Sequence, residues 1–137
     1  LARMLRAARG RYDALRPARR ARRLQPRDWV VLVDVSGSMA TYARTFLYFV
    51  HALARRSPRV EAFAFATRLT RVTRAMALPD PDAAVAAACA QVVDWDSGTR
   101  IGECLGEFNR RWAKRALSRG AAVLLLTDGL ETGDPRT

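Results

Sequence analysis

Lysine and histidine are almost missing from this chain. Of its 24 basic residues only Lys114 is not Arg, and His51 is the sole histidine. Without a G-x-x-x-x-G-K-[ST] segment there is no P-loop to cradle phosphates. His51 lies thirteen residues past Ser38 on one expected helix, about 20 Å along the axis, too far to act as the base for a serine nucleophile. No G-x-S-x-G is present either. An aspartate-nucleophile phosphotransferase would want an acid two residues after Asp34, and Ser36 stands there. Cysteine is equally scarce. Cys89 and Cys104 match no zinc spacing and are too few for a disulfide-stapled fold, so both read as reduced thiols near the core. No apolar run approaches the roughly 18–20 residues of a membrane-spanning helix, and no block of signal-peptide type occurs. The chain is expected not to be an enzyme.

What is abundant is arginine, unevenly placed. The net charge is +11 over 137 residues. Residues 1–27 hold ten Arg against the single acid Asp13, and the remainder holds 14 basic and 12 acidic residues. The expected organisation is a basic leader or linker over 1–26 and one globular domain over 27–137. The leader reads as a solvated linker or a docking arm for an acidic partner. Contact with nucleic acid or an anionic membrane surface is a further reading, but only Tyr12 is available for base stacking. Leu1 at the start and a strand-like run just before Thr137 suggest a piece cut from a longer protein.

Half of the residues are apolar, enough to build a core. Trp29–Val35 is a continuous, β-branched run that suits a strand buried on both faces. Phe46, Phe49, Val50 and Leu53 recur at helical spacing up to Arg55-Arg56-Ser57-Pro58. Val60–Ala66 reads as a second strand, with Arg68–Thr73 as an exposed edge strand beside it. An alanine-rich helix follows over 83–93, capped by Asp82. Ile101, Leu105, Phe108 and Trp112 stripe a helix to about Ser118, closed at Gly120. Ala121–Leu126 is the last strand. Phe46, Phe49, Phe108 and Trp112 read as core, His51 as a packing or surface residue, and Trp95 and Asp96 as loop anchors beside Thr99. This order predicts an α/β fold: a doubly wound, mostly parallel sheet flanked by helices.

Three polar clusters follow the carboxyl ends of elements, where such sheets place functional loops. They are Asp34-Val-Ser36-Gly-Ser38, Gly98-Thr99 and Thr127-Asp128-Gly129. A carboxylate ending a buried strand is costly unless neutralised, and Arg100 is the only basic residue close to these motifs in sequence. A metal cation is the economical answer. Asp34, Ser36, Ser38, Thr99 and Asp128 offer only hard oxygen donors, which suits Mg²⁺, with Mn²⁺ or Ca²⁺ possible. Such a shell keeps a position open for a carboxylate from a partner.

The D-x-S-x-S motif, the isolated Thr99 and the later Asp128 resemble the metal-ion-dependent adhesion site of von Willebrand factor A (VWA) domains. The VVLVDVSGSM segment, Gly98-Thr-Arg-Ile-Gly102, Phe108-Asn-Arg-Arg-Trp112 and LLLTDGL are similar to the CoxE-like branch. In that family the serines ligate the metal directly, the threonine directly or through water, and the aspartates mostly through water. The resemblance implies a VWA/Rossmann-like fold and a bacterial, cytoplasmic, metal-dependent protein-interaction module. The implied partner is a MoxR-type AAA+ ATPase, or the metalloenzyme it helps to mature, such as carbon monoxide dehydrogenase. It also implies further helices and strands after the T-D-G strand. The domain is therefore expected to be incomplete, with Ala121–Leu126 as an open edge. The alternatives are an Arg-rich nucleic-acid-binding protein and a Mg²⁺-dependent phosphoryl-transfer enzyme.

Overall fold

A computed structural model describes residues 27–57, 59–95, 97–117 and 120–130. The leader expected over 1–26 lies outside the described residues, as does Asp96. Strand β1 is Trp29–Asp34, followed by a 3-10 turn, Gly37–Met39, and helix α1, Ala40–Arg56. Next come β2, Val60–Phe65, and β3, Leu69–Arg71. Helix α2 is Thr73–Met76 and α3 is Pro81–Gln91. Helix α4, Ile101–Phe108, runs on through a π segment, Asn109–Ala113, into a last turn, Lys114–Ala116. Strand β4 is Ala122–Leu126.

The four strands lie in the order β3-β2-β1-β4. β1 is paired in parallel with β2 on one side and β4 on the other, and β3 is antiparallel to β2. The expected α/β architecture is thus observed, with three parallel strands and helices on both faces. β1 reads as unbroken apolar sequence because both its faces are covered. Val31, Val33 and Val35 face the cluster built by Leu47 and Val50 of α1 and Ala84, Val85 and Ala88 of α3. Val30 and Leu32 face the cluster of Phe63, Phe65, Cys104 and Phe108. Phe63 meets Phe108 edge-on at 5.3 Å between ring centroids and Trp112 at 5.5 Å. The Arg71 guanidinium lies 5.1 Å from the Trp112 ring centroid, a cation–π contact that closes this second layer.

Four local expectations are corrected. Phe49 is 49% exposed; the buried stripe of α1 is Ala43, Leu47, Val50 and His51, one residue round from the aromatic one. Phe46 and Trp112 are partly buried against the two clusters, and Phe108 is buried as expected. Asp80, not Asp82, caps α3, its carboxylate accepting from the Ala83 amide at 2.8 Å. Pro81 takes the first helical position because it has no N–H to satisfy, which places Asp82 inside the turn. There Asp82 accepts the Tyr48 hydroxyl at 2.6 Å and ties α3 to α1. The edge strand ends at Arg71, because the Thr73 hydroxyl bonds Glu61 and the Ala62 amide and starts α2. The fourth helix is α-helical only to Phe108 before the π segment. Among the described residues β4 is an outer strand, with Val123 and Leu125 exposed.

Candidate metal centre

The sheet changes direction of growth at β1: the chain passes to β2 on one flank and later returns as β4 on the other. Loops at the carboxyl ends of β1 and β4 therefore converge on a crevice, the usual ligand position of such sheets. Asp34 is the last residue of β1 and Asp128 follows β4 by two residues.

Asp34 is fully buried. Its Oδ1 accepts the Ser36 amide at 3.0 Å and the Ser36 hydroxyl at 2.6 Å. Its Oδ2 accepts the Thr127 hydroxyl at 2.7 Å. None of the ion pairs among the described residues involves Asp34. Arg100, the basic residue nearest in sequence to these motifs, pairs with Glu103 at 3.4 Å instead. Among the described residues the carboxylate is thus held by hydrogen bonds, with no ion-pair partner.

Ser36 takes an extended backbone, and Gly37–Met39 then turns tightly, with the Met39 amide bonded to the Ser36 carbonyl at 2.9 Å. This turn brings the Ser36 and Ser38 hydroxyl oxygens to 3.3 Å. On the other side of the crevice the Asp128 carboxylate accepts from the Leu130 amide at 3.0 Å, around Gly129 with φ +79. That amide first, and then the Ser38 hydroxyl, holds the Asp128 carboxyl below its ordinary pKa. Asp34, Ser36 and Ser38 therefore form one run of close oxygens, with the Asp128 carboxylate on the Ser38 side. Thr99 is buried and comes in with its loop: the Ser97 carbonyl accepts the Gly37 amide at 2.9 Å, and the Arg100 amide bonds the Ala66 carbonyl at 2.9 Å.

A hydroxyl has one proton to donate. Ser36 gives its one proton to Asp34, so its 3.3 Å contact with Ser38 depends on the Ser38 proton. When Ser38 turns that proton toward Asp128 instead, the two serine oxygens face each other lone pair to lone pair. A cation held among these oxygens would relieve that repulsion and balance the Asp34 carboxylate. The donors are hard, so the set fits Mg²⁺, Mn²⁺ or Ca²⁺. Among the described residues no cluster of three or more His, Cys, Asp or Glu offers a competing metal site.

Thr127 is the functional residue that sequence reasoning passed over. It stands beside Asp128 in the T-D-G segment, and its hydroxyl both donates to Asp34 and accepts the Gly129 amide at 3.0 Å. A hydroxyl next to the acidic residue at the carboxyl end of an apolar strand was the available signal. Loop position also depends on Asp94, whose Oδ2 accepts the Thr67 amide at 2.7 Å and the Thr67 hydroxyl. Its Oδ1 is buried without a partner. Trp95 packs against the α1–α3 cluster, as a loop anchor should. His51 points its Nε2 at the Leu78 carbonyl, 2.9 Å away, and is a packing residue.

Fold and loop geometry define a VWA-type α/β domain. The family model for VWA domain containing CoxE-like protein matches residues 1–137, and the chain belongs to that family. Membership places it among VWA-type protein-interaction modules. Among solved structures, proximal thread matrix protein 1 from the mussel byssus is similar at 17% identity and a TM-score of 0.48. The match covers 79% of this chain and 32% of that one, so the chain spans about a third of that protein's length. No curated protein matches the sequence. Among the described residues no helix is long and apolar enough to cross a membrane.

Proposed function

We propose that this domain is a divalent-cation-dependent adhesion module without catalysis of its own. Asp34, Ser36, Ser38, Thr99 and Asp128 hold Mg²⁺, or Mn²⁺ or Ca²⁺ in its place, directly or through water. Bound there, the cation supplies a Lewis-acidic position for an Asp or Glu side chain of a protein partner. Thr127 orients Asp34, and Gly37 lets the serine turn close. The observation that carries this reading is the fully buried Asp34 carboxylate at the crevice, bonded to Ser36 and Thr127 and without an ion-pair partner among the described residues, with the Ser38 hydroxyl 3.3 Å from that of Ser36. By family, the partner is a MoxR-type AAA+ ATPase in the bacterial cytoplasm, or the metalloenzyme it remodels during maturation, such as carbon monoxide dehydrogenase.

The test is co-purification of a MoxR-type AAA+ ATPase with the wild-type chain, in Mg²⁺ and in chelator, repeated with Asp128→Ala. Binding that is lost in chelator and in the variant is the expected result. Binding indifferent to both overturns the proposal.

A further inference from the structure

Beside the metal crevice lies a second feature, a cleft of about 500 Å³ between the β2–β3 turn and α4. Arg68, Arg100 and Arg110 line it, with Glu103 and Glu107. Both carboxylates are already neutralised. Glu103 pairs with Arg100 at 3.4 Å, and Glu107 with Arg111 at 2.6 Å. Arg68 and Arg110 enter no ion pair among the described residues, so the cleft keeps two uncompensated guanidinium groups.

Local sequence makes room for them. Gly102 and Gly106, four residues apart on one face of α4, both line the cleft and leave that face without side chains. The Arg110 guanidinium folds back over Gly106: a Cβ there would stand 3.2 Å from its Nη1 and press it aside by a few tenths of an ångström. The cleft is also tied to the metal crevice. β2 ends at Phe65 in register with Asp34, Arg68 is three residues further on, and Arg100 directly follows Thr99.

We infer that this cleft reads acidic residues next to the carboxylate that binds the metal. The partner's segment is a short acidic stretch of polypeptide: one Asp or Glu reaches the cation, and a neighbouring Asp or Glu meets Arg68 and Arg110. The inference rests on the adhesion reading above and gives it sequence selectivity. Arginine suits the task because its planar guanidinium takes a carboxylate with two parallel hydrogen bonds. Two such part-exposed pairs give a preference of about fivefold to tenfold.

The test uses the full 137-residue chain and two fluorescein-labelled peptides, Gly-Asp-Gly-Glu-Glu-Glu and Gly-Asp-Gly-Gln-Gln-Gln, followed by fluorescence anisotropy in Mn²⁺ and in chelator. The acidic peptide is expected to bind about fivefold to tenfold more tightly in Mn²⁺. Arg68→Ser/Arg110→Ser is expected to erase the difference while calorimetric Mn²⁺ binding stays as in wild type. Equal affinity for the two peptides, no binding of either, or a preference that survives the double substitution overturns the inference. Displacement of the acidic peptide by equimolar inorganic phosphate overturns it too, by reassigning the cleft to phosphate. Failure of the adhesion reading looks different: a Glu preference lost with the two arginines, but equal in Mn²⁺ and in chelator, leaves the cleft standing without the metal.

Discussion

Replacing Thr127 with Val isolates one hydrogen bond at the base of the metal crevice. Among the described residues Oδ2 of Asp34 has one donor, the Thr127 hydroxyl at 2.7 Å, whereas Oδ1 has two from Ser36. Valine keeps the branched shape and removes the donor, leaving a buried carboxylate oxygen unpaired. Hydrogen bonds to charged groups contribute about 1.5–3 kcal/mol, and an orphaned buried acceptor costs its full desolvation. For a domain of this size that lowers the melting temperature by about 5–12 °C. The same hydroxyl accepts the Gly129 amide, so the turn that carries Asp128 loosens as well. Cation affinity should therefore fall together with stability. The assay is thermal unfolding of wild type, Thr127→Val and Thr127→Ser in chelator, then the same series with Mg²⁺. Serine restores the donor and should recover most of the loss. If Thr127→Val melts with the wild type, the hydroxyl is not what holds Asp34, and the reasoning fails.

Two further outcomes follow from other contacts. Asp94→Ala removes the acceptor of the Thr67 amide and hydroxyl, but it also removes the unpaired Oδ1. The two effects oppose, so urea unfolding should register a net loss of about 1 kcal/mol; a gain in stability would contradict the anchoring role. The Tyr48 hydroxyl donates to Asp82, and that bond, more than burial, raises its pKa above the ordinary 10.0. Its contribution is complete below the unfolded value and is lost as pH rises through the folded one. The absorbance difference between wild type and Tyr48→Phe should show a tyrosinate appearing later than in a free peptide, and earlier again in Asp82→Asn.

The sheet was legible because burial on two faces leaves a plain mark. Trp29–Asp34 carries no alternation, and such runs belong in the middle of α/β layers. Ala122–Leu126 reads the same way, yet it is an outer strand among the described residues, with Val123 and Leu125 exposed. The positions of Asp34 and Asp128 followed, since residues ending such strands have to meet at the crevice. Side-chain choices within helices were less legible. On α1 two stripes of apolar residues compete. The aromatic one reads as the core, yet Ala43, Leu47 and Val50 are the residues buried in the cluster with Val31 and Val33 of β1, leaving Phe49 outside. Asp80 and Asp82 are equivalent as caps until the place of Pro81 is known. The π segment at Asn109–Ala113 has no sequence mark at all. Thr127 went unread because its partner is 93 positions away in sequence, and only strand pairing reveals such a contact.

The central claim is that oxygens from separate loops share one hard cation, and calorimetric titration with Mg²⁺ and Mn²⁺ tests it most directly. Ser38 and Asp128 are exposed, so Ser38→Ala and Asp128→Ala remove donors without emptying the core. Wild type should bind one ion per chain and gain about 2.7 kcal/mol of stability at a hundredfold excess over the dissociation constant, with both variants losing most of that gain. Absence of binding by the wild-type chain, or binding unchanged by both substitutions, would contradict the account.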